Sequence, residues 1–306
     1  GWHVEEGRSI ARADVLGAEV GYRDAVGPHL IAPALRVVLT TRDLDLDGKL
    51  ADVSAEAVLP EAQAPALSRY NDLLPRGSGV EIREGSGTFR TRLAIDAAGR
   101  AQGTMSLATS GLRARLNDLD FRGDCRLALK VASPDVRTLR FHLDGSGGRC
   151  ESVQLAGRGE SNWWFEASLG KSFVQPRGIE RLHLTATLRA LDAVPMLALF
   201  GGKRGVQLAA RLLRAKPFEA VGELSLAGNT WNVVGNGTAG PKLGLEARLD
   251  GREGALEGDL LLRWGKRALG IELEPQGRQF HFRGAEAWYL KGSTRRERAK
   301  DQGQPR

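Results

Sequence analysis

Five histidines are the first residues to weigh for metal binding or proton transfer: His3, His29, His142, His183 and His281. The last three each sit between apolar residues (Phe141 and Leu143, Leu182 and Leu184, Phe280 and Phe282), so each points to the polar face of a different strand. Ligands and catalytic dyads must converge, and these residues are scattered. Asp43-Leu44-Asp45-Leu46-Asp47-Gly48 matches the start of a calcium loop, where alternating carboxylates ligate and the glycine allows the sharp turn. The twelfth position is Ser54, not the required glutamate, and a strand closed by an Asp-Gly turn explains the same letters. Gly235-Asn236-Gly237-Thr238-Ala239-Gly240 fits a dinucleotide fingerprint. A helix should follow to hold the pyrophosphate, but Pro241 and the alternating Leu243, Leu245, Ala247 and Leu249 come instead, so the segment reads as a turn. Gly170-Lys171-Ser172 has the ending of a phosphate loop, with Phe165 where the leading glycine belongs. Asp118, Asp120 and Asp124 are close in sequence without a pattern that makes them converge as glycosidase acids. Trp163-Trp164-Phe165 must divide between two faces, which suits a core tryptophan beside a rim one better than a sugar platform. No catalytic residue, metal or cofactor is assigned, and the expectation is a protein that is not an enzyme.

Composition bounds the alternatives. Hydrophobic residues make up 42 % of the 306 and charged ones 26 %, a globular balance, and 39 glycines suit many tight turns. The net charge of +7 owes much to the end of the chain, where Arg295, Arg296, Arg298, Lys300 and Arg306 outnumber Glu297 and Asp301. Elsewhere arginines mark the solvent side of strand after strand, as solubility requires, rather than one basic face interleaved with aromatics, so nucleic acid is not an expected partner. No run of about 18 apolar residues is present to span a bilayer as a helix. With no initiator methionine and no signal pattern over Gly1 to Ile10, the chain reads as a mature or excised segment whose targeting or anchoring portion lies outside it.

The elements that would carry any site are strands. From Glu84 to Val131 apolar residues hold a period of two, as in Leu112-Arg113-Ala114-Arg115-Leu116 and Cys125-Arg126-Leu127-Ala128-Leu129-Lys130-Val131. Turn clusters at Asp96 to Gly99, Thr109 to Gly111 and Asn117-Asp118 divide the stretch into an antiparallel meander, which then continues through Val136 to Leu143, Ser152 to Ala156 and Arg181 to Arg189. It resumes after Pro217 and ends near Leu290. Two short amphipathic helices are expected, Ala62 to Leu74 and Asp192 to Phe200, and 205–213 fits either a strand or a helix. The result is an all-β, elongated antiparallel meander curled into a groove or a sandwich. It forms one domain over 1–291 with two structural repeats at about 35–165 and 166–291, followed by a disordered basic tail, 292–306. Cys125 and Cys150 allow one disulfide or two buried thiols. Cys125 shares parity with Leu127 and Leu129, whereas Cys150 is out of phase with Val153 and Leu155, so pairing requires a bulge or a strand start.

Gly103-Thr104-Met105-Ser106-Leu107, Leu119 to Leu127 and Leu256-Glu257-Gly258-Asp259-Leu260-Leu261-Leu262 resemble the recurring strand signature of AsmA-like and TamB-related bacterial envelope proteins. Leu191 to Gly202 is similar to the helices that punctuate those repeats. The resemblance covers about 35–290 and implies a taco-like β-groove through which phospholipid acyl chains pass between inner and outer membranes. It further implies a periplasmic location, an inner-membrane anchor outside this chain, and envelope proteins or membranes as partners. The inward leucines and one phenylalanine would line that groove: Leu112, Leu116, Leu127, Leu129, Leu139, Phe141, Leu182, Leu184, Leu224, Leu226, Leu245, Leu260 and Leu262. The same residues would serve equally as the closed core of a β-sandwich scaffold for envelope assembly, and a carbohydrate-active β protein is the remaining alternative.

Overall fold

The computed structural model describes residues 2–5, 8–20, 29–41, 43–44, 50–51, 53–74, 80–116, 119–155, 163–175, 181–192, 217–252, 255–274 and 277–292. It is all-β. The strands are β1 (Trp2–Glu5), β2 (Arg8–Val20), β3 (Leu30–Thr41), β4 (Asp43–Leu44), β5 (Leu50–Ala51), β6 (Ser54–Ala64), β7 (Val80–Ile95), β8 (Ala101–Leu116), β9 (Leu119–Ser133) and β10 (Phe141–His142). They continue as β11 (Gly147–Leu155), β12 (Trp163–Leu169), β13 (Phe173–Gln175), β14 (Arg181–Ala190), β15 (Phe218–Ala227), β16 (Thr230–Ala239), β17 (Leu243–Arg252), β18 (Ala255–Trp264), β19 (Arg267–Glu274) and β20 (Gly277–His281).

Eighteen strands build one antiparallel sheet, and β4 with β5 forms a separate small ladder at the aspartate-rich segment, of which 45–49 lies outside the described residues. β10 and β11 share one place beside β9, and β12 and β13 share one beside β14. The sheet therefore has sixteen places, a span of ~70 Å at the usual strand spacing. Among the described residues β1 pairs only with β2 and β20 only with β19, so the ladder is open at both ends.

The shared places form a crease. Ser146 Oγ accepts the Lys130 N–H (2.8 Å) and donates to the Lys130 carbonyl (3.2 Å), while Ser172 Oγ accepts the Thr185 N–H (3.1 Å) and donates to the Thr185 carbonyl (3.4 Å). Each buried hydroxyl stands in for a ladder partner where the strand is interrupted.

Several expected boundaries are corrected. The turn at Thr109 to Gly111 is instead a bulge inside one long strand, β8. Gly111 takes φ 62°, the register shifts between Ala108 and Leu112, and Asp124 Oδ1 accepts the Gly111 N–H at 2.9 Å. Helix over Ala62 to Leu74 is reduced to a 3-10 turn, Leu67–Leu73, because Pro65 holds Ala64 extended and leaves Ala62 to Ala64 in β6. That turn substitutes for a strand: the Asn71 amide donates to the Ile82 carbonyl and accepts its N–H, both at 2.7 Å, where β6 no longer reaches β7. Val136 to Leu143 is not a strand. Asp135 caps a 3-10 turn at Val136–Thr138, Leu139 turns left-handed at φ 50°, and only Phe141–His142 stays in the sheet. Gly235 to Ala239 is not a turn but the end of β16, and the meander's final segment is a helix, α1, over 285–292. The second expected helix beyond Asp192, the 205–213 segment and the tail from 293 lie outside the described residues.

Cys125 and Cys150 are register partners on β9 and β11, with Cα atoms 4.0 Å apart, and are joined as a disulfide. A bulge between Cys150 and Val153, with Ser152 at φ 52°, changes the phase so that both Cys150 and Val153 are buried on the apolar face. On the opposite face Glu–Arg pairs step from strand to strand: Glu56–Arg92 (2.7 Å), Glu61–Arg90 (3.0 Å), Glu84–Arg113 (3.0 Å) and Glu219–Arg189 (3.2 Å). Exposed pairs contribute at most about 1 kcal/mol each, so they favour register more than stability.

Candidate functional site

Register partners in an antiparallel sheet share a face, so pairings can be followed as rows running across the strands. Three adjacent rows on the apolar face define a trough over β14 to β17. One wall is Leu184, Leu224, Val233 and Leu249, and the other is Leu188, Ala220, Gly237 and Leu245. Between them the floor is Ala186, Gly222, Gly235 and Ala247, all small. The leucines and Val233 of the walls, with the Phe218 ring over Gly237, stand above that small floor and leave a cavity of about 290 Å³ lined by residues of all three rows. Its size lies near the lower end of small-ligand pockets, about 300–1,000 Å³.

A side chain at these glycines would crowd its neighbours. A Cβ on Gly222 would stand 3.0 Å from the Val234 carbonyl oxygen and 3.3 Å from the Gly235 Cα, and one on Gly237 would stand 2.5 Å from the Phe218 ring, which folds over that position. The trough's long direction follows the sheet axis, so a slender apolar molecule would cross strand after strand. Burial is the interaction it offers, worth roughly 0.8 kcal/mol per methylene.

Of the residues expected to line a groove, Leu184, Leu224 and Leu245 meet at this cavity. Leu260 and Leu262 lie beside it on β18, both buried, as register partners of Ala247 and Leu245. Phe141, Leu182 and Leu226 occupy one row with Val174 and Trp231, half-buried. Leu127 and Leu129 are on the same face of β9, with Leu127 exposed and its side chain over Gly148. Leu112 is half-buried next to Ala114. Leu116 ends β8, and its side chain lies outside the described residues. Leu139 is removed from the set, since it sits in a turn and not on the sheet.

No protein-family model, curated protein or solved structure matches the chain. Trp163 is buried against Phe165, ring centres 5.5 Å apart, while Trp164 lies on the other face beneath the Arg149 guanidinium at 4.9 Å, so the two tryptophans form no common platform. His183 Nδ1 is 3.0 Å from Ser225 Oγ, and His281 pairs with Glu272 at 3.1 Å and stacks on Trp288 at 4.0 Å. Among the described residues no three His, Cys, Asp or Glu side chains are grouped to hold a metal ion, and no helix is long and apolar enough to cross a membrane.

Beyond the trough, α1 packs on the polar face of the last strands. Ala285 and Tyr289, four residues apart, close over Leu261, and Gly270 makes room for Trp288. Burial pushes the Tyr289 hydroxyl up to about 12, opposed by the Arg248 guanidinium 4.7 Å over its ring.

The floor is what inspection of the sequence misses. Leu188, Phe218 and Val233 follow from parity with Leu184, Leu224 and Trp231, but Gly235 reads as a turn residue until register shows it facing Ala247 and Gly222 across the sheet.

Proposed function

We propose that this chain is a lipid-binding, lipid-transfer module of the bacterial cell envelope, periplasmic and related to the AsmA-like and TamB-related proteins, whose apolar β-face shields acyl chains. The observation that supports this reading is the leucine-walled, glycine-floored trough, because its shape suits one linear hydrocarbon chain and its lining supplies burial without fixed polar contacts. Turnover is not needed for such a role. Ten buried methylenes would contribute roughly 8 kcal/mol before the cost of ordering the chain.

The test is transfer of a fluorescent phospholipid between two vesicle populations. The expected result is acceleration by the wild-type protein and its loss in Ala186→Leu, which fills the floor and leaves the walls intact. Equal rates with and without protein would remove the reading. A closed-core scaffold draws on a different observation, the full burial of Leu249, Leu260 and Leu273 on the same face; it is favoured if Ala186→Leu raises stability and no lipid is carried.

A further inference from the structure

We propose a second binding site, on the polar face, that takes a phosphoryl group between Arg126 and Arg149. A cavity of about 790 Å³ lies across β7 to β12 on the side opposite the acyl trough. Its floor is the row Ser106, Ala128, Gly147 and Ser168, successive register partners. Gly147 has no room for a side chain, since a Cβ there would stand 2.7 Å from the Ala167 carbonyl oxygen.

The rim carries the charge. Arg126 and Arg149 are direct register partners on β9 and β11, and both are exposed. Like charges directly opposite are unfavourable on a sheet. Arg149 is shared by Glu151 (2.8 Å) and Glu166 (3.5 Å), and Arg90 is matched by Glu61 (3.0 Å). Arg126 has no carboxylate partner among the described residues. Arg90 and Arg149 are thus matched by carboxylates, and the unmatched positive charge on the rim is Arg126.

An anion between the two guanidinium groups converts a repulsive pair into a clamp. The Arg126 fork can give two parallel N–H donors to an oxyanion, Arg149 can add the guanidinium N–H groups that Glu151 and Glu166 do not take, and the Ser106 and Ser168 hydroxyls stand on the floor below. A phosphoryl group has oxygens enough for both forks and a floor hydroxyl, which a carboxylate does not. The group could come from headgroups displayed on a bilayer or from a soluble phosphate ester. Because the acyl trough is on the other face, a lipid seated there would not supply it, and the two sites stand or fall separately.

The experiment uses the full chain, Arg126→Gln, and Arg122→Gln as a control that removes the same charge from β9 outside the cavity. Inorganic phosphate is titrated at constant ionic strength against chloride, and flotation is run with phosphatidylcholine vesicles with and without phosphatidylglycerol. The expected result is that phosphate or phosphatidylglycerol vesicles bind wild type and Arg122→Gln alike, and Arg126→Gln about tenfold or more weakly. Binding of phosphate alone assigns a soluble ester; binding of the anionic vesicles, competed by phosphate, assigns a membrane surface. Failure of both probes to bind, or equal binding by Arg126→Gln and Arg122→Gln, overturns the proposal.

Discussion

The two ends of the apolar face follow the same alternation and differ in what covers them. In β3 to β9, Leu39 is 45 % and Leu127 41 % exposed although Leu59, Phe121 and Cys125 on the same face are buried, whereas in β17 and β18 Leu249 is 1 % and Leu260 2 % exposed. Period-two patterning decides which side of a strand is apolar, and it is silent on whether that side meets solvent, ligand or another layer. The trough over β14 to β17 runs into the covered end: Leu184, Leu188, Leu224 and Val233 are half-buried, Leu245 and Leu249 on β17 are buried, and the floor is too small to fill the space.

Charge substitutions test the difference most severely. Leu260→Asp should abolish folding, read as loss of a cooperative urea transition, while Leu127→Asp should keep it. The milder Leu260→Ala should cost about 2–5 kcal/mol, and Leu127→Ala under about 1 kcal/mol because little packing is removed. Comparable losses at the two positions would mean that both regions are core.

Removing the cross-link between β9 and β11 should come next. Cys125→Ser with Cys150→Ser opens a loop with a sequence separation of 25 and should lower stability by about 3 kcal/mol. The loss should appear as a lower denaturant midpoint for the oxidised protein and should be absent when both proteins are reduced.

The covered end also has a titration of its own. Tyr289 is raised in the folded state to about 12 from 10.0, so folding favours its neutral form. Its contribution is full below pH 10 and is lost as pH rises through 12, on the order of 2 kcal/mol in the unfolding free energy. Tyr289→Phe should flatten that part of the pH profile; an unchanged slope would show that α1 does not bury the hydroxyl. The smallest effect belongs to the exposed polar face, where Glu56→Gln, breaking the pair with Arg92, should change stability by less than about 1 kcal/mol.

Much of the sheet was legible because alternation is a direct imprint of the pleat, and β14 ends within a residue of the Arg181 to Arg189 stretch that its letters mark. The need for a bulge beside Cys150 was legible for the same reason, since two inward residues three apart cannot both face the core on a regular strand. Thr109-Ser110-Gly111 was not, because the same letters serve a hairpin turn and a bulge, and only the lengths of β7 and β9 choose between them. α1 was obscured by the alternation of Phe280 and Phe282 running into it. In the site, large apolar residues announce the walls, but a floor is recognised by what is missing, and glycine in a strand has the same appearance as glycine in a turn until its register partner is known.

The most direct measurement is native mass spectrometry of the purified chain with lipid extraction. Wild type should carry co-purified phospholipid, and a folded Ala186→Leu or Leu184→Asp variant should not. An apo mass for wild type that takes up nothing from liposomes would mean that the apolar face is a closed core and that no acyl chain occupies it.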